Sequence, residues 1–215
     1  MKPKFITFEG SEGCGKSTQI ALLADWLQHH GQRVVSLREP GGTPLGEMVR
    51  HLLKHDPAGV GMAAESELLL FTASRAELAR KVIAPSLAAG QWVICDRFHD
   101  STTVYQSVAR GLDFATVSVI NHFALGGVAP ALTLFLDLPA AESRARMLRR
   151  PRPVGQADRM ESEPPEFYEQ VLAGYRQLAE REPARVKKIA ADGDKNAVFA
   201  KILTEVRHAF PGELD

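Results

Sequence analysis

Gly10-Ser11-Glu12-Gly13-Cys14-Gly15-Lys16-Ser17 decides the fold. The run matches GxxxxGK(S/T) in full, with Thr18 directly after it. Before it stands Phe5-Ile6-Thr7-Phe8, a short apolar run that predicts a strand. After it Ile20, Leu23 and Leu27 recur at helical spacing, and Gly31 fits a C-terminal cap. A strand, a glycine-wrapped turn and a helix N-terminus make a phosphate cradle. The glycines let successive backbone N–H groups point at phosphate oxygens. The helix end adds partial positive charge. Lys16 places a full charge on the β and γ oxygens, and the Ser17 hydroxyl is available to Mg2+. Residues 10–18 are therefore the expected ATP-binding segment. Cys14 sits where a thiol can be acidified; the plainer reading is a small residue filling a tight loop.

Outward from the cradle, short β-rich runs alternate with longer helical patterns. Arg33-Val34-Val35-Ser36-Leu37 predicts a second strand, and Pro44 opens a helix with Leu45, Met48, Val49 and Leu52 on one face. A helical stretch runs over 65–82, and Pro85 is expected to break or kink it. Trp92-Val93-Ile94-Cys95 is continuously apolar, as a strand buried on both faces should be. Leu132-Thr133-Leu134-Phe135-Leu136 predicts a fourth strand and Val186-Lys187-Lys188-Ile189-Ala190 a weaker fifth. Such alternation implies a parallel sheet with helices on both faces. The expectation is one α/β domain over 1–215: a three-layer P-loop NTPase fold with a five-stranded parallel sheet and a short lid at 149–165. That last segment mixes prolines with arginines and has no apolar periodicity, which reads as a functional surface loop.

Composition narrows the class. Apolar residues make up 45% of 215, enough for a sizeable core. Lys+Arg and Asp+Glu balance at 26 each, against the basic excess usual in a nucleic-acid polymer reader. The two cysteines, Cys14 and Cys95, form neither a CxxC nor a disulfide framework. The N-terminus runs directly into a strand without a signal-peptide pattern, and no apolar stretch reaches the roughly 20 residues that span a bilayer. A cytoplasmic protein without membrane contact is expected.

Asp96 follows the third strand's apolar run, where open α/β sheets place ligand groups. A carboxylate there can hold Mg2+ or its waters together with Ser17; the alternatives are a helix cap or an ion pair with Arg97. Asp137, before Pro139, reads as a helix cap. No Asn/Thr-Lys-x-Asp run marks a guanine reader. A small-molecule kinase needs cations around the acceptor phosphate and a mobile arginine loop. Arg38, Arg97 and the loop arginines Arg149, Arg150, Arg152 and Arg159 supply both, and a planar guanidinium pairs two phosphate oxygens at once. Phe71 in Leu68-Leu69-Leu70-Phe71 reads as core packing by itself, but Arg75 shares its helix face four residues on.

With these residues assembled, the chain resembles the thymidylate kinases along nearly its whole length. The blocks that carry the resemblance are 8–18, Arg38-Glu39-Pro40-Gly41-Gly42-Thr43, Leu69-Leu70-Phe71 with Arg75, Asp96-Arg97 with Ser101, Tyr105-Gln106 and Arg110-Gly111, and more loosely Asp158-Arg159-Met160-Glu161. The resemblance implies an ATP- and Mg2+-dependent homodimer that phosphorylates thymidine 5′-monophosphate (dTMP) to dTDP. It implies that Phe71 stacks on thymine, Arg75 donates to O4, and Gln106 reads the N3 edge, helped by Ser101 or Thr102. Tyr105 would crowd the ribose 2′ position and Glu12 would lie near the 3′-hydroxyl. Arg38, Arg50 and Arg97 would contact the acceptor phosphate. Lys16 and Arg97 would be catalytic, with one of Arg149, Arg150 and Arg152 acting from the lid, as in the bacterial subtype. The chain departs from the family at Ser107-Val108-Ala109, where glycines are usual, and at Ser74, where an acid is common. The alternatives are a P-loop kinase for another deoxynucleotide or a deoxynucleoside, and a non-catalytic ATP-binding switch.

Overall fold

A computed structural model describes residues 2–149, 159 and 163–214. Strand β1 (Phe5–Glu9) is buried at every position. It lies in mid-sheet, with β3 (Trp92–Asp96) on one edge and β4 (Leu132–Asp137) on the other. With β2 (Val34–Arg38) and β5 (Val186–Ala190) the order is β2-β3-β1-β4-β5, and every pairing is parallel. The expected five-stranded sheet is therefore present, with boundaries shifted by a residue or two. Register sets Phe8 beside Asp96 and Glu9 beside Phe135, so β1 and β3 end level and their loops leave one edge together.

Side chains alternate across this sheet with the strand period. Ile6, Phe8, Ile94, Leu134 and Leu136 face α1 (Lys16–His29) and α9 (Lys195–Ala209), meeting Leu23, Leu27, Ile202 and Val206. Phe5, Val93 and Cys95 face the opposite layer with Phe98, and Phe135 packs there on Tyr175. That layer holds α3 (Ala64–Leu78), α5 (His99–Thr102), α6 (Phe114–Leu125) and α8 (Pro165–Arg181). Burying every residue of β1 is possible because its backbone groups pair with β3 and β4, with Phe5 N taken by Pro3 O at 2.7 Å.

Some local expectations are corrected. Pro85 does not break its helix. The chain stays helical from α3 through Ala79–Ile83 into α4 (Ala84–Ala88), and the intervening turn widens to i→i+5 spacing. The wider turn gives room for a ring that would otherwise meet a carbonyl of the preceding turn. On α2 (Pro44–Lys54), which Thr43 caps through Gly46 N at 3.0 Å, the inward residues are Gly46, Val49 and Leu53. Leu45 and Met48 face outward, 48% and 72% exposed. Asp137 caps nothing: it pairs with Arg176 at 2.9 Å, and α7 (Ala140–Leu148) begins after Pro139 without a side-chain cap. The segment Ser107-Val108-Ala109 is helical, part of a widened turn over Thr103–Ala109 that extends α5. Its bulk is accommodated by Gly174 on α8, where a Cβ would come within 3.0 Å of Val104 and 3.3 Å of Val108.

Candidate active site

The loop between β1 and α1 has the shape that its glycines predict. Gly10 has φ +135°, and a Cβ there would sit 2.7 Å from Leu136 O; at Gly13, φ +79°, it would sit 2.7 Å from Ser143 O. Both positions require glycine, because L-residues rarely adopt such φ and the neighbouring backbone of β4 and α7 leaves no space. Ser143 fastens the loop to α7, through Ser11 Oγ at 2.9 Å and the Glu12 carbonyl. Lys16 Nζ is buried in the loop's concavity and donates to Ser11 O at 2.9 Å and Gly10 O at 3.2 Å. Burial pushes the Cys14 thiol above its ordinary range, so a small residue filling the loop, not an acidified thiol, describes it.

Beside the loop lies a cavity of about 300 Å³. Its walls include Glu12, Arg38, Arg50, Phe71, Arg75, Arg97, Ser101, Thr102, Tyr105 and Gln106, together with Ser17 and Asp96. Five separate chain segments deliver them to one space. Phe71 is half-buried and its ring lines the cavity, so core packing alone does not account for it. Lys54 lines it too and was not anticipated, though it lies one turn after Arg50 on α2, a spacing that points both to one face. Glu39 and Pro40, from the block that follows β2, and Tyr168, which carried no sequence signal, complete the wall.

Arg75 is 1% exposed and is the hub of the cavity floor. Nε and Nη2 each lie 3.0 Å from Glu39 Oε2, Nη2 also donates to Thr102 Oγ1 at 2.7 Å, and Nη1 donates to Asn121 Oδ1 at 2.6 Å. A guanidinium has five N–H donors. Among the described residues these contacts engage all but one hydrogen of Nη1. Burial pushes the Glu39 carboxyl up, and Arg75 opposes that shift. Ser74, the departure from the usual acid, accepts from Gly41 N at 3.2 Å and ties the turn after β2 to α3.

Arg97 is held as firmly. Its φ of +69° lies in the left-handed region that non-glycine residues seldom occupy. Contacts on every side fix it there: Glu12 Oε1 at 3.0 Å, Ser101 Oγ at 3.1 Å, Tyr175 Oη at 3.3 Å, and the Tyr105 ring with its centroid 5.1 Å away. Behind them Glu9 accepts from Tyr175 Oη at 2.7 Å, Ser101 Oγ at 2.6 Å and Phe98 N at 2.7 Å. Burial, reinforced by Asp100, pushes the Glu9 carboxyl up to about 7. At Glu12 burial acts in the same direction, but Lys16, Arg97 and Lys54 outweigh it and hold that carboxyl well below the usual range. Glu9 and Tyr175 escaped the sequence reading because they stand 166 residues apart and meet only through the fold.

Ser17 Oγ donates to Asp96 Oδ2 at 3.4 Å, and Asp96 makes no ion pair with Arg97 among the described residues. A hydroxyl and a carboxylate are hard oxygen donors, few in number, at the mouth of the phosphate loop. That set suits Mg2+, which keeps several waters and phosphate oxygens in its shell. No cluster of three or more His, Cys, Asp or Glu side chains able to hold a metal occurs among the described residues. Arg38 bonds Glu47 at 2.8 Å and Arg50 donates to Pro40 O at 3.0 Å, so both cations are steered along the wall. Arg149 follows α7 and is exposed; Arg150 and Arg152, and most of the expected lid, lie outside the described residues.

Comparison with known proteins places the chain by family and fold. A family model described as thymidylate kinase matches residues 8–202. A thymidylate kinase from Synechococcus sp. (strain JA-2-3B'a(2-13)) is 47% identical over 207 residues, covering 96% of each chain. One from Magnetococcus marinus is 46% identical over 210 residues, covering 98% of each. The crystal structure of thymidylate kinase from Ehrlichia chaffeensis superposes with a TM-score of 0.74 at 35% identity, covering 94% of this chain and 97% of that one.

Proposed function

The chain belongs to the thymidylate kinase family, and on that premise we propose that its cavity is where dTMP receives the γ-phosphoryl group of ATP and becomes dTDP. The observation that carries the reading is the company around that space. A ring, a guanidinium with one spare hydrogen and an amide share a cavity with phosphate-binding cations, beside a glycine loop. Phe71 stacks on thymine, Arg75 donates to O4, and Gln106, with Ser101 or Thr102 beside it, meets the N3 edge. Tyr105 excludes a 2′-hydroxyl and Glu12 lies toward the 3′-hydroxyl. Arg38, Arg50 and Arg97 bind the acceptor phosphate.

An oxygen of that phosphate attacks the γ-phosphorus in line. The new P–O bond forms as the bond to the β-phosphate oxygen breaks, and ADP leaves. No protein nucleophile takes part. Catalysis is positioning and charge stabilisation, in which Lys16 and Arg97 act on the transferring group. Ser17 and Asp96 would hold Mg2+, which would supply neutralisation of the phosphate charge. Residues 149–165 serve as the lid of a single 1–215 domain, with one of Arg149, Arg150 and Arg152 reaching the γ-phosphoryl group. The protein acts in the cytoplasm, where free thiols such as Cys14 and Cys95 persist; no described helix is long and apolar enough to cross a membrane.

The test is a panel of acceptors assayed with ATP. The expected result is kcat/KM for dTMP at least about a hundredfold above dCMP, no turnover of thymidine, and loss of activity in EDTA that added Mg2+ restores. Equal use of dCMP overturns the substrate assignment, and turnover indifferent to chelation overturns the metal assignment.

The functional unit is a homodimer. Leu45 and Met48 on α2, Leu69 on α3, and Val119 and Phe123 on α6 are large apolar side chains between 48% and 79% exposed. Helix α3 packs against both α2 and α6, so the three helices that carry these side chains are neighbours. A two-fold axis lets such a patch pair with itself. Sedimentation should show twice the chain mass for the native protein and a monomer for Met48→Glu/Phe123→Glu; a monomeric native protein would refute the assignment.

A further inference from the structure

We infer that Glu67, a positioning residue of α3 outside the cavity lining, sets base selectivity by fixing the Gln106 amide with its oxygen toward the nucleotide. The inference rests on Gln106 reading the N3 edge. Glu67 is 1% exposed. Its Oε1 accepts from Gln106 Nε2 at 2.9 Å and Arg110 Nε at 3.2 Å, while Oε2 accepts from Arg110 Nη2 at 3.4 Å and from Arg159 Nη2. Burial opposes ionisation, but these bonds outweigh it and hold the carboxyl below its usual range.

An ionised carboxylate only accepts. The Gln106 amide must therefore turn its NH2 toward Glu67. Because the amide is planar, its oxygen then points the other way, and Gln106 itself lines the cavity. Thymine N3 carries a hydrogen and donates; cytosine N3 is a lone pair and accepts. A glutamine free to rotate would satisfy either base. One held by a buried anion offers thymine an acceptor and sets two acceptors against each other when cytosine enters. Arg110 and Arg159 make that anion tolerable to the fold.

The experiment compares kcat/KM for dTMP and dCMP in Glu67→Gln, Gln106→Ala and the double variant. The substituted amide at position 67 can donate as well as accept, so Gln106 is free to flip. The inference predicts that Glu67→Gln lowers the dTMP-to-dCMP ratio about tenfold or more, with KM for ATP little changed, and adds nothing to the ratio in the Gln106→Ala background. A parallel fall with both acceptors, leaving the ratio intact, overturns it and marks Glu67 as merely structural. If Gln106→Ala itself leaves the ratio unchanged, the base-reading role of Gln106 fails, and the inference with it. Should Glu67→Gln not fold, Glu67→Asp keeps the charge and withdraws it from the amide; a lowered ratio supports the inference and an unchanged ratio overturns it.

Discussion

Replacing Lys16 by alanine is expected to lower kcat for ATP-driven dTMP phosphorylation about a thousandfold, while KM for ATP rises by less than about tenfold. The asymmetry follows from where the amino group sits. In the proposed binding mode, backbone N–H groups of a loop shaped by Gly10 and Gly13 and the start of α1 do much of the ground-state binding of the triphosphate, and they survive the substitution. Lys16 Nζ sits within the loop's curve, against the carbonyls of Gly10 and Ser11, and in the proposed mechanism it faces the charge that builds as the γ-phosphoryl group leaves. A group whose contribution is largest at the transition state lowers kcat when removed and leaves KM comparatively unmoved. Steady-state kinetics over a range of ATP concentrations separate the two parameters. Near-normal kcat in this variant would remove the loop from the chemistry.

Arg75→Ala is expected to destabilise the protein by about 3–5 kcal/mol, because it strands a buried carboxylate, and to lower Tm by about 10 °C for a chain of this size. Base selectivity alone would make this a substrate-specific variant. The structure makes it a stability variant as well, since Glu39, Thr102 and Asn121 all lose their shared donor. Adding Glu39→Gln in the same chain should recover part of the lost Tm, since the stranded charge is then gone. A thermal melt of the single and double variants checks both statements. A single variant melting within a degree or two of the native protein would mean that the Arg75–Glu39 pair contributes little to the folded state.

The fold was legible where sequence pattern is strongest. Trp92–Cys95 announced a buried central strand by unbroken apolarity, Leu132–Leu136 announced another by its β-rich run, and the glycine loop announced itself by spacing. The acceptor-side candidates were also legible, and Phe71, Arg75, Arg97, Tyr105 and Gln106 do line one cavity. What stayed hidden were contacts between distant segments. Tyr175 and Glu9 support Arg97 from opposite ends of the chain, and Glu67 supports Gln106 from a neighbouring helix. Local periodicity carries no record of such pairs. The break expected at Pro85 is absent because a widened turn relieves the steric conflict that a proline imposes on a regular helix. The helix expected from Pro44 is α2, but its apolar face is only partly inward, because hydrophobicity does not say whether Met48 meets a core or another surface.

The account stands on one arrangement: the base-reading trio and the phosphate loop serve two nucleotides at once. A crystal structure with dTMP and a non-hydrolysable ATP analogue tests it most directly. The account predicts the thymine ring on Phe71, Gln106 Oε1 on N3, Arg97 on the acceptor phosphate and Lys16 Nζ on the terminal phosphates of the analogue. A complex with dTMP bound away from Phe71 and Arg97, while the analogue fills the glycine loop, would contradict it.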